Sequence, residues 1–138
     1  MLALLYSVQN PTHTLVRAVL MHDWAEQWTG DVPAPAKWGS PILRDGLDAA
    51  SDTFLAQHNV VEDMLSPEDR WMLDWLDITE LNAFCQAEFS MGNVIIQPVW
   101  LNGLKRMAEL MNSPIVSSFD GEVQKRLEVI ADSVGKYM

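Results

Sequence analysis

Apolar residues along this chain recur mostly at steps of three and four, the period of a helix that buries one face. Residues 1 to 9 form an apolar stretch that opens without a capping side chain. Asn10-Pro11-Thr12 supplies a turn and a fresh start, and a second helix is expected from about His13 to Trp28, with Leu15, Val16, Val19 and Leu20 as its buried stripe. Ser40-Pro41 reads as an N-cap followed by proline at the first helical position. The helix it opens carries Leu43, Leu47, Ala50, Phe54 and Leu55 and stops near His58-Asn59. Ser66-Pro67-Glu68-Asp69 is a start signal of the same type, and the helix from there to Met91 places Trp71, Trp75, Ile78, Leu81 and Cys85 on one side. Gly92-Asn93 and Pro98 bracket a break, after which Trp100, Leu101, Leu104, Met107 and Leu110 keep a helical period to about Met111. Asn112-Ser113-Pro114 ends that helix, and the last begins after Asp120 with Val123, Leu127, Ile130 and Val134 as its apolar side. No segment alternates as a strand would, and no repeat is present. The pattern predicts an all-α fold, a compact bundle of five to six helices forming one domain over residues 1–138.

Composition narrows the function classes. Nine Lys and Arg stand against 19 Asp and Glu, a net charge of -10, which repels nucleic-acid backbones and argues against a nucleic-acid partner. A small phosphorylated ligand can still bind where local cations or a metal offset that field. The single Cys85 excludes an intramolecular disulfide and reads as a buried, inert thiol. No apolar run approaches the roughly 20 residues that span a bilayer, and MLALLYSV lacks the basic flank and cleavage site of a signal peptide. The expectation is a cytoplasmic protein with no membrane partner.

The chemistry concentrates in residues 22–38, HDWAEQWTGDVPAPAKW. An adjacent His22 and Asp23 at the end of an apolar stripe can turn together toward a divalent metal, since imidazole suits transition metals and a carboxylate adds charge. The plainer reading is a helix end whose polar groups cap a neighbour. Glu26, four residues after His22, shares its helical face. Thr29-Gly30 is a stop signal, and Pro33 and Pro35 are expected to hold the next segment extended, with Asp31 and Lys37 on a stiff loop folding back over the helix end. Lys37 is a candidate phosphate contact, with Arg44 or Arg17 as weaker ones. Trp24, Trp28 and Trp38 could line a nucleoside pocket, although tryptophan at helical spacing is more often core. His13 and His58 read as surface or capping histidines. Farther on, Asp74, Asp77 and Glu80 follow at intervals of three.

This run resembles the HD-domain phosphohydrolases, in particular the branch of bacterial 5'-deoxynucleotidases and related phage deoxynucleoside triphosphohydrolases. There a His-Asp pair is followed by a Glu and then by a Thr-Gly-Asp-(Val/Leu/Ile)-Pro-x-Pro-x-Lys loop. The matching residues are His22, Asp23, Glu26, Thr29, Gly30, Asp31, Val32, Pro33, Pro35 and Lys37. A looser match is LDWLDITELNAFCQAEFSMGN, similar to the later helix of that family, with Asp77 at the position of its metal-binding Asp and Gly92-Asn93 at the helix end. The resemblance covers roughly residues 1 to 93. It implies an HD-type helical domain with a divalent metal held by His22, Asp23 and Asp77, and Mn, Co, Zn, Fe and Ni all suit such ligands. It implies Glu26 and Asp31 as the catalytic acid-base groups and hydrolysis of a deoxynucleoside mono- or triphosphate, while Lys37 and Trp24 stand as candidate substrate contacts on their residue chemistry alone. A further metal-binding His, in a His-Ser step ahead of an apolar segment like Met1 to Val8, would fall before Met1. The expectation is therefore an N-terminally shortened chain, self-associating into a homo-oligomer through the apolar surface so exposed. The alternative is a catalytically impaired HD scaffold that binds nucleotides or partner proteins.

Overall fold

The computed structural model describes residues 1–30, 32, 34–58 and 65–135, without the side chains of Ala34, Pro35 and Trp38. Among these residues all regular structure is helical, as the apolar spacing predicts. Six helices have seven residues or more: α1 (Leu2–Val8), α2 (His13–Met21), α5 (Pro41–Gln57), α6 (Pro67–Ser90), α7 (Gln97–Met111) and α8 (Gly121–Ser133). Two short ones, α3 (Glu26–Thr29) and α4 (Ala34–Gly39), carry the motif segment, and 3₁₀ turns precede α7 and α8.

Hydroxyl and carboxylate caps start four of the helices where the sequence places them. Thr12, Ser40, Ser66 and Asp120 each accept a backbone N–H of the first turn they open. Thr12 also donates its hydroxyl to Asp69 at 2.9 Å, which ties the start of α2 to the start of α6. The Met1 amine meets Glu80, so α1 begins beside the middle of α6.

Helix α6 is the centre of the bundle. Trp71, Met72, Trp75, Leu76, Ile78, Thr79, Asn82 and Cys85 are all buried, more than one face of a helix can hold, because α2 and α7 pack on different sides of it. Around it Leu5, Val8, Leu15, Val19, Met107, Leu110, Val123, Leu127 and Val134 complete the core. Two buried indoles close helix ends: Trp71 donates to the Leu110 carbonyl at 3.1 Å and Trp100 to the Val134 carbonyl at 3.2 Å. Leu110 lies in the last turn of α7, where its carbonyl also accepts the Ser113 N–H, and Val134 is the residue that caps α8.

The structure corrects several expectations. Leu20 is 63 % exposed and Leu101 48 %, because each is displaced about 100° around its helix from the buried neighbour before it. The helix expected over 13–28 breaks after Met21. From Trp24 to Trp28 the amides of Trp24, Glu26, Gln27 and Trp28 bond three residues back instead of four, tightening the turn before α3. Pro35 does not keep its segment extended: it sits in the first turn of α4, where its missing N–H costs nothing, so Lys37 rides on a short helix rather than a loop. Asp31 and Pro33 lie outside the described residues.

Helices α6 and α7 approach most closely at Gly103. A β-carbon there would land on the side-chain oxygen of Asn82, so the amide fills the space of the missing side chain. Asn82 is fully buried, and its amide nitrogen and oxygen have no hydrogen-bond partner among the described residues. Gly103→Ala should therefore lower stability by about 1–3 kcal/mol in urea unfolding, because overpacking outweighs the gain in helix propensity. Removing the amide in Asn82→Ala/Gly103→Ala should recover part of that loss. An unchanged Gly103→Ala midpoint would mean the helices separate freely at this crossing.

Candidate functional site

Helix α2 ends at the residues that carry the metal argument. His22 Nδ1 lies 2.8 Å from the Val19 carbonyl, and a carbonyl only accepts, so this nitrogen carries the proton. Nε2 then points away from the helix and stands 2.9 Å from Asp23 Oδ2. With Nδ1 protonated, Nε2 of a neutral ring has a lone pair facing a carboxylate. That contact is favourable only if a proton or a cation lies between the two atoms. The separation also fits neighbouring ligands of one ion: two atoms each about 2.1 Å from a metal, at right angles, stand about 3 Å apart. The His22 side chain is 22 % exposed and that of Asp23 62 %, so solvent ions can reach the pair.

Asp77 couples to this pair from α6. Partial burial pushes its carboxyl pKa up, the nearby His22 pulls it down, and the carboxylates of Asp23, Asp74 and Glu80 push it up again. Burial likewise raises Asp74, against the pull of Arg106 and Arg70. Among the described residues no three His, Cys, Asp or Glu side chains stand gathered to hold a metal ion. His22 and Asp23 meet, and Asp77 faces them through its charge.

A cleft of about 370 Å³ opens beside His22, within the size range of small-molecule sites. Its wall takes Arg17, Met21 and His22 from α2, Glu26 and Thr29 from α3, and Lys37 from α4. Glu26 and Lys37 form an ion pair at 3.2 Å, each about one-third exposed. His22 and Glu26 line one cleft, but not as the shared face of one helix that their spacing predicts, because the helix between them is broken. Asp31 lies outside the described residues.

The tryptophans of the motif go elsewhere. Trp24 packs edge-on against Phe54 at 6.0 Å and Trp28 stacks on the same ring at 5.7 Å, neither lining the cleft. The Trp38 side chain is outside the described residues. His58 bonds the Phe54 carbonyl at 2.9 Å, the capping role expected of it. Cys85 is fully buried, and burial together with Glu88 pushes its thiol pKa up, away from nucleophilic character.

The far wall of the cleft has no counterpart among the sequence motifs. Helix α5 presents Arg44, Leu47, Asp48, Ser51, Asp52 and Leu55 to the cleft, steps of three, one, three, one and three that trace a single helical face. Arg70, from the first turns of α6, joins them. Of this wall the sequence singles out only Arg44, as a weaker phosphate candidate; the rest reads as the mixed polarity of a solvated α5 face.

Comparison with family models, curated proteins and solved structures found no match for this chain. No helix among the described residues is long and apolar enough to cross a membrane.

The crowding of Asp77 has a measurable sign. A carboxyl whose folded-state pKa lies above its unfolded value favours folding fully below the unfolded pKa, near 3.9, and loses that contribution as pH rises through the folded pKa. At neutral pH its charge is therefore a cost. In the presence of chelator, Asp77→Asn should unfold at a higher temperature than wild type at pH 7, with the gap closing as pH falls toward about 4. A lower midpoint for the variant at pH 7 would contradict this account.

Proposed function

We propose that this chain is a divalent-metal-dependent phosphohydrolase acting on deoxynucleoside mono- or triphosphates. The observation that carries the reading is the fixed tautomer of His22: its Nδ1 is spent on Val19, and its Nε2 is aimed at the Asp23 carboxylate beside a cation-lined cleft. His22 and Asp23 would hold the ion with Asp77 as the third ligand, and the carboxylates crowded around Asp77 gain most from a divalent charge. Such an ion would polarise the phosphoryl group and supply a water ready for attack. Glu26 would take a proton from the attacking water. Its ion pair with Lys37 holds the carboxylate at the cleft wall, and Lys37 is then positioned to share its charge with a phosphate oxygen. The sequence motif assigns the return of a proton to the leaving group to Asp31. Trp24 would serve substrate binding indirectly, by seating Phe54 and so holding α5 in place.

The resemblance to HD-domain phosphohydrolases supports the same reaction class, and the acidic surface argues for a small substrate over a nucleic acid. Cytoplasmic operation and self-association belong to this reading. Met91, Val94 and Ile95, all largely exposed at the α6–α7 junction, offer apolar surface for pairing of two copies.

The absence of a gathered ligand triad among the described residues favours, as a second reading, a scaffold that binds nucleotides without hydrolysing them. One assay separates the two: release of phosphate, pyrophosphate or triphosphate from a panel of deoxynucleotides with added Mn or Co. Release that falls at least about 100-fold in His22→Ala supports the enzyme, since even outer-shell losses at metal sites cost 10–100-fold. Nucleotide binding without release in wild type supports the scaffold and sinks the hydrolase.

A further inference from the structure

The chain has nine basic side chains, and four of them, Arg17, Lys37, Arg44 and Arg70, line one cleft in a protein of net charge -10. They come from four different helices, α2, α4, α5 and α6, so local sequence clustering does not account for their meeting. Lys37 is engaged with Glu26 on the His22 side. Arg17, Arg44 and Arg70 line the same cleft from α2, α5 and α6. Arg44 does meet Asp45 at 3.3 Å, but both ends are more than half exposed, and such surface pairs are worth little and exchange readily.

We infer that this cleft takes a polyphosphate chain, with one phosphate near Lys37 and His22 and the further phosphates against Arg17, Arg44 and Arg70, so that the ligand is a nucleoside di- or triphosphate rather than a monophosphate. The nucleoside part of this statement rests on the function proposed above; the polyphosphate part rests on the arginines alone. Guanidinium groups bind phosphate oxygens through two parallel charge-assisted hydrogen bonds, and three of them exceed what a single phosphate dianion requires. Asp48 and Asp52 face the same space from α5 and repel phosphate there. That asymmetry orients the ligand, turning its phosphates toward Arg17, Arg44 and Arg70 and its sugar hydroxyls or base amino groups toward the acceptors Asp48 and Asp52. At about 370 Å³ the cleft has room well beyond one phosphate group.

The test uses inorganic tripolyphosphate and orthophosphate as probes, titrated calorimetrically into the full chain at low ionic strength with chelator present, so that the metal reading does not enter. Tripolyphosphate is expected to bind at least about tenfold more tightly than orthophosphate, and Arg44→Ala and Arg70→Ala each to weaken it about tenfold or more. Both arginines are exposed, so the variants should keep wild-type thermal midpoints. Lys105→Ala, an exposed cation outside the cleft, should leave binding unchanged. Equal affinity for the two probes would overturn the inference, as would equal losses in Lys105→Ala and the arginine variants. Metal-dependent hydrolysis succeeds or fails independently of this result, because nothing in the titration requires a metal.

Discussion

Burial of helix α6 on more than one side is the constraint from which the other arrangements follow. A helix with eight buried positions cannot sit at an edge, so α2 and α7 must pack around it, and the spacing between them depends on what α6 presents. Toward α7 it presents Asn82, which demands glycine opposite. It presents Arg70 and Leu73 to the cleft and Asp77 to the charges of His22 and Asp23 at the end of α2. The same helix therefore supplies the core with tryptophans and the candidate site with charge. Any shift in its register would disturb both together.

Electrostatics divides the surface near α2 into two unlike zones. At the helix end, His22 and Asp23 face a group of carboxylates on α6 whose mutual repulsion is eased by added positive charge. One turn earlier, the arginine-bearing cleft offers positive charge to an anion. A phosphorylated ligand accompanied by a divalent cation answers both needs at once, the cation against the acids and the phosphates against the arginines. Neither zone alone would distinguish such a ligand from a simple ion.

Most of the architecture is legible in the helical period of the sequence. Cap residues Thr12, Ser40, Ser66 and Asp120 mark four helix starts because a side-chain oxygen two or three residues ahead of a free N–H is a local arrangement, and local geometry is written locally. His22 and Glu26 do not share that legibility, since the continuous helix that would pair them is broken between them. The break after Met21 is not legible, since the residues that follow are ordinary helix formers, and the tightening from i−4 to i−3 bonds reflects how α3 is drawn toward α5. Arg70 escapes notice for a third reason: its role depends on α5 lying opposite, a relation between segments that no single window of sequence contains. Pro35 misleads because proline breaks helices only past their first turn.

Helix α5 packs chiefly on the short helices α3 and α4, and of its own residues only Phe54 is buried. One wall of the cleft is thus a 17-residue lever pinned near one end by a single aromatic ring, set between Trp24, Trp28 and His58. Its other wall, α6, is the most firmly anchored element in the molecule. A change in the tilt of α5 would disturb its packing on α3 and α4 and leave the core around α6 in place, so the width of the cleft is not tied to that core. An anion bridging Arg44 and Arg70 would act as a strut between the moving wall and the fixed one, and its binding energy would be registered as stiffness in α5.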